Sequence, residues 1–496
     1  MSSFKKVMLA SAGGSNNYWW TYWESDYNDN DFHSLYNTMP RFTVDLGYRI
    51  ALNSSHRNLS PNEYIVSFVI IEPDLGDLDA EKYFVPNNEN QGQGAFADET
   101  YLYFLGQGTY QNYAYKQILC KWNISTNAYQ SAYESNSSDQ SYGSSQGHFH
   151  YDTGKIVNGF GWNNGRWGLQ VQDVSDTTSI DQHYTRYLAN NQRRNGNMMI
   201  ITSKNKASNY YLYMKSEYGG SNEKCNLIKM SFTSTTPVWE RQGDVYSPSY
   251  RYNGVSQNLS FLSDGTVYLI EQSGSSYNTE NRMYWCEIED STGAYTSGTN
   301  AKTQITRSGY WDSGEYAINQ PGRNLWVNTD SNDNTYVTTA ISGTSGDNGT
   351  KDYLAVLQFN SSMVLQKAIR ISGYHTSSSN YNRLQQELTG SPDLSDTYEA
   401  LYIPVGFRSY NSSASPTEVS RQSLIKLPLS DITSVAGTYN NLMTITDITS
   451  SFGTSSVNEG SNNSATGSAS GSNTGRTNRT VANTSSRTFV ETKVDF

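Results

Sequence analysis

Five aromatic rings fall within six residues at Tyr18-Trp19-Trp20-Thr21-Tyr22-Trp23. Aromatic faces stack on sugar C–H surfaces and anchor protein interfaces, because they bury a large area at low entropic cost. Tyr18, Trp19, Trp20, Tyr22 and Trp23 are therefore the binding residues that the sequence nominates. The competing expectation is that these rings pack over the face of the folded repeats that follow or into a subunit contact. Just beyond them, Asp26-Tyr27-Asn28-Asp29-Asn30-Asp31 imitates the start of a calcium loop. It lacks Gly at its sixth position and Glu at its twelfth, so the oxygen cage is incomplete. His148, His150 and Asp152 alternate as ligands on one face of a strand would, but no further ligand is evident to complete a site. No nucleophile elbow, phosphate loop or dinucleotide fingerprint stands in a fitting context. The expectation is a chain without catalytic residues, metal or cofactor.

The elements that must carry these residues are strands. Tyr (39), Gly (39) and Trp (10) are abundant while charged residues make up 16% of the 496, against about 25% in ordinary globular chains. Polarity comes instead from Ser, Thr, Asn and Tyr. Aromatics and Thr suit a pleated surface, and Asn, Ser and Gly supply tight turns. The formal charge of −11 and the lack of any Lys/Arg run beyond pairs such as Arg193-Arg194 argue against nucleic-acid binding. Cys120, Cys225 and Cys286 are odd in number and widely spaced, which fits neither a disulfide framework nor a zinc ribbon. The apolar run 7–10 after Lys5-Lys6 is too short for a secretion signal, and no stretch approaches the 18 apolar residues of a membrane span.

Self-similarity is the strongest structural signal. In its clearest copy, Leu325-Trp326-Val327 leads over a polar turn into Thr335-Tyr336-Val337-Thr338, and residues 353–359 lead over Asn360-Ser361-Ser362 into residues 364–371. Two hairpins of this kind make one four-stranded sheet. The second hairpin recurs at Ile118-Leu119-Cys120-Lys121-Trp122, Gly168-Leu169-Gln170-Val171-Gln172, Leu227-Ile228-Lys229-Met230, Met283-Tyr284-Trp285-Cys286-Glu287 and Leu424-Ile425-Lys426-Leu427, with a weaker copy over 64–71. Successive copies lie about 50 to 70 residues apart, a propeller-blade period. The expected fold is all-β: a β-propeller of about seven four-stranded blades over 44–449, closed by an N-terminal strand within 1–16. An aromatic and acidic linker is expected over 17–43. Residues 451–486 are nearly all Ser, Gly, Asn and Thr, the composition of a flexible coil, so 450–496 is expected to be an extended flexible arm whose end, 488–496, regains strand-like alternation.

Hairpins of the [LIV]-[LIV]-K-x kind, with an Asn/Ser/Thr turn and a closing strand, resemble those of tailed-phage virion proteins, especially from marine cyanobacterial phages. That group is similar to bacterial β-propeller repeat proteins; the matching residues are 333–337, 264–268 and 227–232, with Gln172, Glu287 and Gln358 where the pattern has Lys. The resemblance implies a non-enzymatic structural protein on the exterior of a phage particle, in tail or capsid. Other virion proteins and further copies of the chain would be its partners, and a host-surface glycan a further one. The alternative is a secreted glycan-binding or glycan-cleaving propeller of the sialidase-like kind. Its Asp-box is approached at Ser263-Asp264-Gly265-Thr266, without the intervening residue or the Trp.

Overall fold

The computed structural model describes the strands and their tight turns from Tyr18 to Asp495; residues 1–17, 26–37, 136–148, 188–197, 245–258, 308–324 and shorter connecting segments lie outside the description. The expected closing strand in 1–16, the Asp26–Asp31 segment and His148 fall outside it. The described chain is all-β, with only two 3-10 turns, Ile432–Val435 and Thr449–Ser451. It has the repeat architecture of propeller blades.

The described strands form seven antiparallel sheets. Sheet I comprises Thr38–Asp45, Ile50–Leu59, Asn62–Ile71 and Leu78–Phe84. Sheet II has Asn90–Ala97, Tyr101–Tyr110, Ala114–Asn123 and Ala128–Ser135; sheet III has Phe149–Asp152, Lys155–Gly161, Arg166–Asp173 and Gln182–Tyr187. Sheet IV follows with Met198–Ile201, Asn209–Ser216, Lys224–Ser231 and Trp239–Asp244. Sheet V has Leu259–Phe261, Val267–Ser273, Arg282–Ile288 and Ala301–Arg307. Sheet VI has Leu325–Thr329, Thr335–Ser342, Asp352–Phe359 and Leu365–Gly373. Sheet VII is built on Ala400–Asn411 and Glu418–Pro428, with Asn380–Gln385 and Asp393–Ser395 paired to the first of these. Its next strand is Trp19–Ser25, paired antiparallel with Glu418–Pro428 in the register Trp19↔Lys426, Trp20↔Ile425.

This placement corrects the linker expected over 17–43, which holds the strand Trp19–Ser25 and the start of the first strand of sheet I, Thr38–Asp45. The reason is visible in the packing. Sheet VII is covered on both faces, so the period-2 alternation of the strand sends Trp19 and Trp23 into a core shared with Ile50, Leu52, Val69 and Ile71 of sheet I. Trp20 points the other way, into a core shared with Tyr336, Val356 and Ile369 of sheet VI. A strand buried on both faces needs apolar residues at consecutive positions, and this block supplies them. Two further cores join sheet V to sheet VI and sheet IV to sheet V.

The flexible arm expected over 450–496 is also corrected. Past Glu418–Pro428 the chain turns back: Met443–Asp447 pairs with the outer strand of sheet VI and Phe452–Asn458 with that of sheet V. Asn462–Ser464 then joins sheet IV, Ala469–Ser470 sheet III, Arg476–Arg479 sheet II and Thr484–Ser486 sheet I. Finally Phe489–Asp495 pairs with Trp19–Ser25 in sheet VII. The tail thus visits every sheet in reverse order, adding two strands to sheet VI, where Gly437–Tyr439 pairs with Met443–Asp447, and one to each of the others. Its composition cannot build a core, but a sheet edge offers unpaired N–H and C=O groups, and small uncharged residues satisfy these as well as any others. Linkers of two to five residues span at most about 20 Å, which suits a step from one sheet to its neighbour.

Candidate functional site

The repeat contains one recurring polar contact, and Trp19 belongs to it. A Tyr on the second strand of a sheet stands directly opposite a Lys, Gln or Glu on the third: Tyr103↔Lys121, Tyr211↔Lys229, Tyr268↔Glu287, Tyr336↔Gln358 and Tyr402↔Lys426. In sheets III and I the same places hold Ile156↔Gln172 and Ala51↔Ile70. At three seams the third-strand residue reaches a main-chain carbonyl in the turn of the next sheet.

Where sheet VII meets sheet I, Lys426 Nζ donates to the Pro73 carbonyl at 2.9 Å, and Trp19 Nε1 donates to the same oxygen at 3.2 Å. Thr21 Oγ1 donates to the Gly76 carbonyl at 2.8 Å. Where sheet IV meets sheet V, Lys229 Nζ and Trp239 Nε1 both donate to the Asp290 carbonyl, at 3.0 and 2.9 Å, and Arg241 Nε donates to Thr292 O at 2.7 Å. The two receiving turns are built alike. Gly76 N–H donates to Glu72 O and Gly293 N–H to Glu289 O, each at 2.7 Å, with both glycines at positive φ, +75° and +70°. Each glycine lies under an indole: a Cβ on Gly76 would come within 2.6 Å of Trp19, and one on Gly293 within 2.6 Å of Trp239. The third seam, between sheets VI and VII, uses Gln358 Nε2 and Tyr336 OH, which donate to the Leu429 carbonyl at 3.0 and 2.7 Å. There Lys367 takes the position of the tryptophan and bonds Asp431 at 3.4 Å.

The electrostatics follow from burial. Lys426 is 1% exposed, and desolvation pulls its pKa down to about 8, with the charge of Asp74 acting in the opposite sense. Tyr211 donates to Asp290, which also accepts from Lys229 in an ion pair of 3.0 Å; desolvation and that carboxylate push the phenol well above its ordinary value. Burial and the Asp330 charge do the same to Tyr336, whose hydroxyl lies 3.1 Å from Asp330 Oδ2. These groups hold main-chain carbonyls and neighbouring sheets.

Of the aromatic residues nominated for binding, Trp19 and Trp20 are 0% and Trp23 1% exposed, so these three rings lie in the cores between sheets. Tyr18 and Tyr22 are partly buried against the core shared by sheets VI and VII. The Tyr22 ring lies 4.6 Å from Trp20 and 5.7 Å from the Arg421 guanidinium. His150 and Asp152 fall on the first strand of sheet III. Cys286 is buried in the core between sheets IV and V. Ser263, in the segment likened to an Asp-box, donates through N–H and Oγ to the two Asp333 carboxylate oxygens at 2.7 and 2.6 Å, linking sheet V to sheet VI. Among the described residues no group of three or more His, Cys, Asp or Glu is placed to hold a metal ion. Sequence reasoning quoted Lys229 and Lys426 only as strand markers; the signal it passed over is that Trp19 and Trp239 stand at the same register opposite them.

The chain matches no protein-family model, and no curated protein matches it. Among solved structures it is similar to the β-propeller domain of the Trilobed protease from Pyrococcus furiosus, at 8% identity over 80% of this chain and 97% of that one, with a TM-score of 0.39. It is also similar to a neuraminidase-like protein from A/bat/Guatemala, at 7% identity over 69% and 90%, TM-score 0.36. A third is CoXyl43, a GH43 β-xylosidase/α-arabinofuranosidase from a compost microbial metagenome, at 9% identity over 61% and 89%, TM-score 0.27.

Proposed function

We propose that the seven sheets are the blades of a closed propeller, and that this propeller is a non-catalytic structural component on the exterior of a tailed-phage particle, in tail or capsid. The observation that carries the closed, rigid scaffold is the repetition of one clamp at two distant places. The seam between sheets VII and I has the same lysine, tryptophan, carbonyl and glycine as the seam between sheets IV and V, as expected if the last blade meets the first as any blade meets the next. Three buried or half-buried ionisable groups, Lys426, Tyr211 and Tyr336, are engaged in these contacts.

Several of the longer segments between described strands, 217–223, 245–258 and 274–281 among them, are rich in Tyr, Asn, Ser and Gly. That composition is the one antibody loops use for contact, combining rigid aromatic anchors with adaptable hydrogen bonding. The partners are neighbouring virion proteins and further copies of the chain, with a host-surface glycan as an additional target. Mass spectrometry of density-gradient-purified particles tests the reading. Co-sedimentation at a fixed copy number is the expected result. Recovery of the chain only from the soluble fraction, together with release of reducing sugar from host polysaccharide, would replace it with a glycan-cleaving propeller.

A further inference from the structure

The reversed tail is held unequally along its length. Seven-residue strands anchor both ends, Phe452–Asn458 on sheet V and Phe489–Asp495 on sheet VII. Between them the paired pieces are three, two, four and three residues long, on sheets IV, III, II and I. The part of the chain just before it is fixed differently. Met443 and Ile445 are buried in the core shared by sheets VI and VII, and the Ile448 N–H donates to the Ala368 carbonyl at 2.9 Å. The boundary between a packed segment and a strap held mainly through ladders therefore lies at the 3-10 turn Thr449–Ser451, with Phe452 just beyond it still packed against the core of sheets V and VI.

We propose that this strap is exchangeable: residues 452–495 of one copy add the outer strands to the sheets of a second copy of the chain, in the same registers used within one copy. Three observations support it. Each strap strand pairs with an existing outer strand, and a main-chain ladder does not depend on which copy supplies the strand. The described cores between sheets IV and V and between VII and I are formed by the sheets' own strands, Trp19–Ser25 included, so release of the strap leaves them in place. An exchange that keeps every pairing gains and loses the same contacts, which leaves concentration and the connection at Thr449–Ser451 to decide between the two forms. The inference goes beyond the virion reading and does not rest on it.

Thr303 and Ser456 face each other across the ladder on sheet V, which supplies the test. Two full-length chains with tags of different size, one carrying Thr303→Cys and the other Ser456→Cys, are co-expressed, oxidised and separated without reductant. A third chain carrying both substitutions reports pairing within one copy, and a Thr303→Cys chain co-expressed with the unsubstituted chain reports the background from Cys120, Cys225 and Cys286. The expected result is a linked dimer of the two tagged chains above that background. When the singly substituted chains are refolded together at concentrations where monomer predominates, the ratio of this dimer to monomer should rise about tenfold for a tenfold rise in protein concentration, as mass action requires. Closure within the doubly substituted chain with no linked dimer at any concentration overturns the exchange. Failure of the doubly substituted chain to close overturns it as well, because Phe452–Asn458 would then not lie on Ala301–Arg307.

Discussion

Replacing Gly76 by alanine tests the clamp at its tightest point. The substitution does two separable things. At φ +75° a side chain meets the left-handed region, which costs about 1–2 kcal/mol for an L-residue. The added methyl would also lie 2.6 and 2.8 Å from two atoms of the Trp19 indole and 2.9 Å from Thr21 Oγ1. Both neighbours belong to a buried strand, and overpacking of that kind costs about 1–3 kcal/mol. The sum is a loss of about 2–5 kcal/mol. Gly265 separates the two effects, since it has φ +93° and a methyl added there would have nothing within 4 Å, so Gly265→Ala should lose only the backbone part. Gly293→Ala, under Trp239, should behave like Gly76→Ala. Urea titrations followed by tryptophan fluorescence give the three values. If Gly76→Ala and Gly265→Ala lose the same amount, the indole does not press on the turn and the reading of the seam as a fitted clamp fails.

Trp19→Ala and Trp239→Ala should each destabilise by about 3–5 kcal/mol, as truncation of a buried ring does; a near-neutral Trp19→Ala by thermal denaturation would return that ring to the surface. The Lys426 pKa lies near 8 in the folded protein and near 10.4 in the unfolded chain, so between these values the unfolded chain binds more protons. The stability of the protein relative to Lys426→Met should therefore rise as pH rises from about 8 to about 10, and a flat or falling difference in denaturant midpoint refutes the assignment. Trypsin should cut the native chain after Arg476 and Arg479 no faster than after Arg241, which lies in an outer strand of sheet IV; rapid loss of the last twenty residues would mean a free tail.

Hairpins were legible because their turns carry the chemistry of turns: Asp330 accepts from Asn332 N–H and Asn334 N–H at 2.9 and 2.8 Å, and Asn360 from Val364 N–H at 2.9 Å. Alternation likewise located the paired runs such as Leu227-Ile228-Lys229-Met230 and Leu424-Ile425-Lys426-Leu427. The aromatic block misled because five rings in six residues suit a ligand-binding stretch as well as a strand covered on both faces. Only the neighbouring sheets decide between these, and they are distant in sequence: Trp19 meets Pro73 and Tyr402. Composition misled at the tail for a different reason. A search for apolar surface detects segments that build cores, whereas Ala469–Ser470 and Asn462–Ser464 are held by main-chain pairing, to which side-chain composition is nearly indifferent.

The pairing of Trp19–Ser25 with Phe489–Asp495 has a mechanical side. Trp19 lies opposite Asp495 and Ser25 opposite Phe489, so tension applied to the chain before Trp19 and after Asp495 acts on one end of that ladder and opens its hydrogen bonds in succession instead of loading them together in shear. Once that pair parts, the same pull passes along the tail to sheet I, then II, III, IV and V, each giving way as a separate small step. Under load through these two ends the chain would lengthen strand by strand, a tether whose give is set mainly by main-chain ladders.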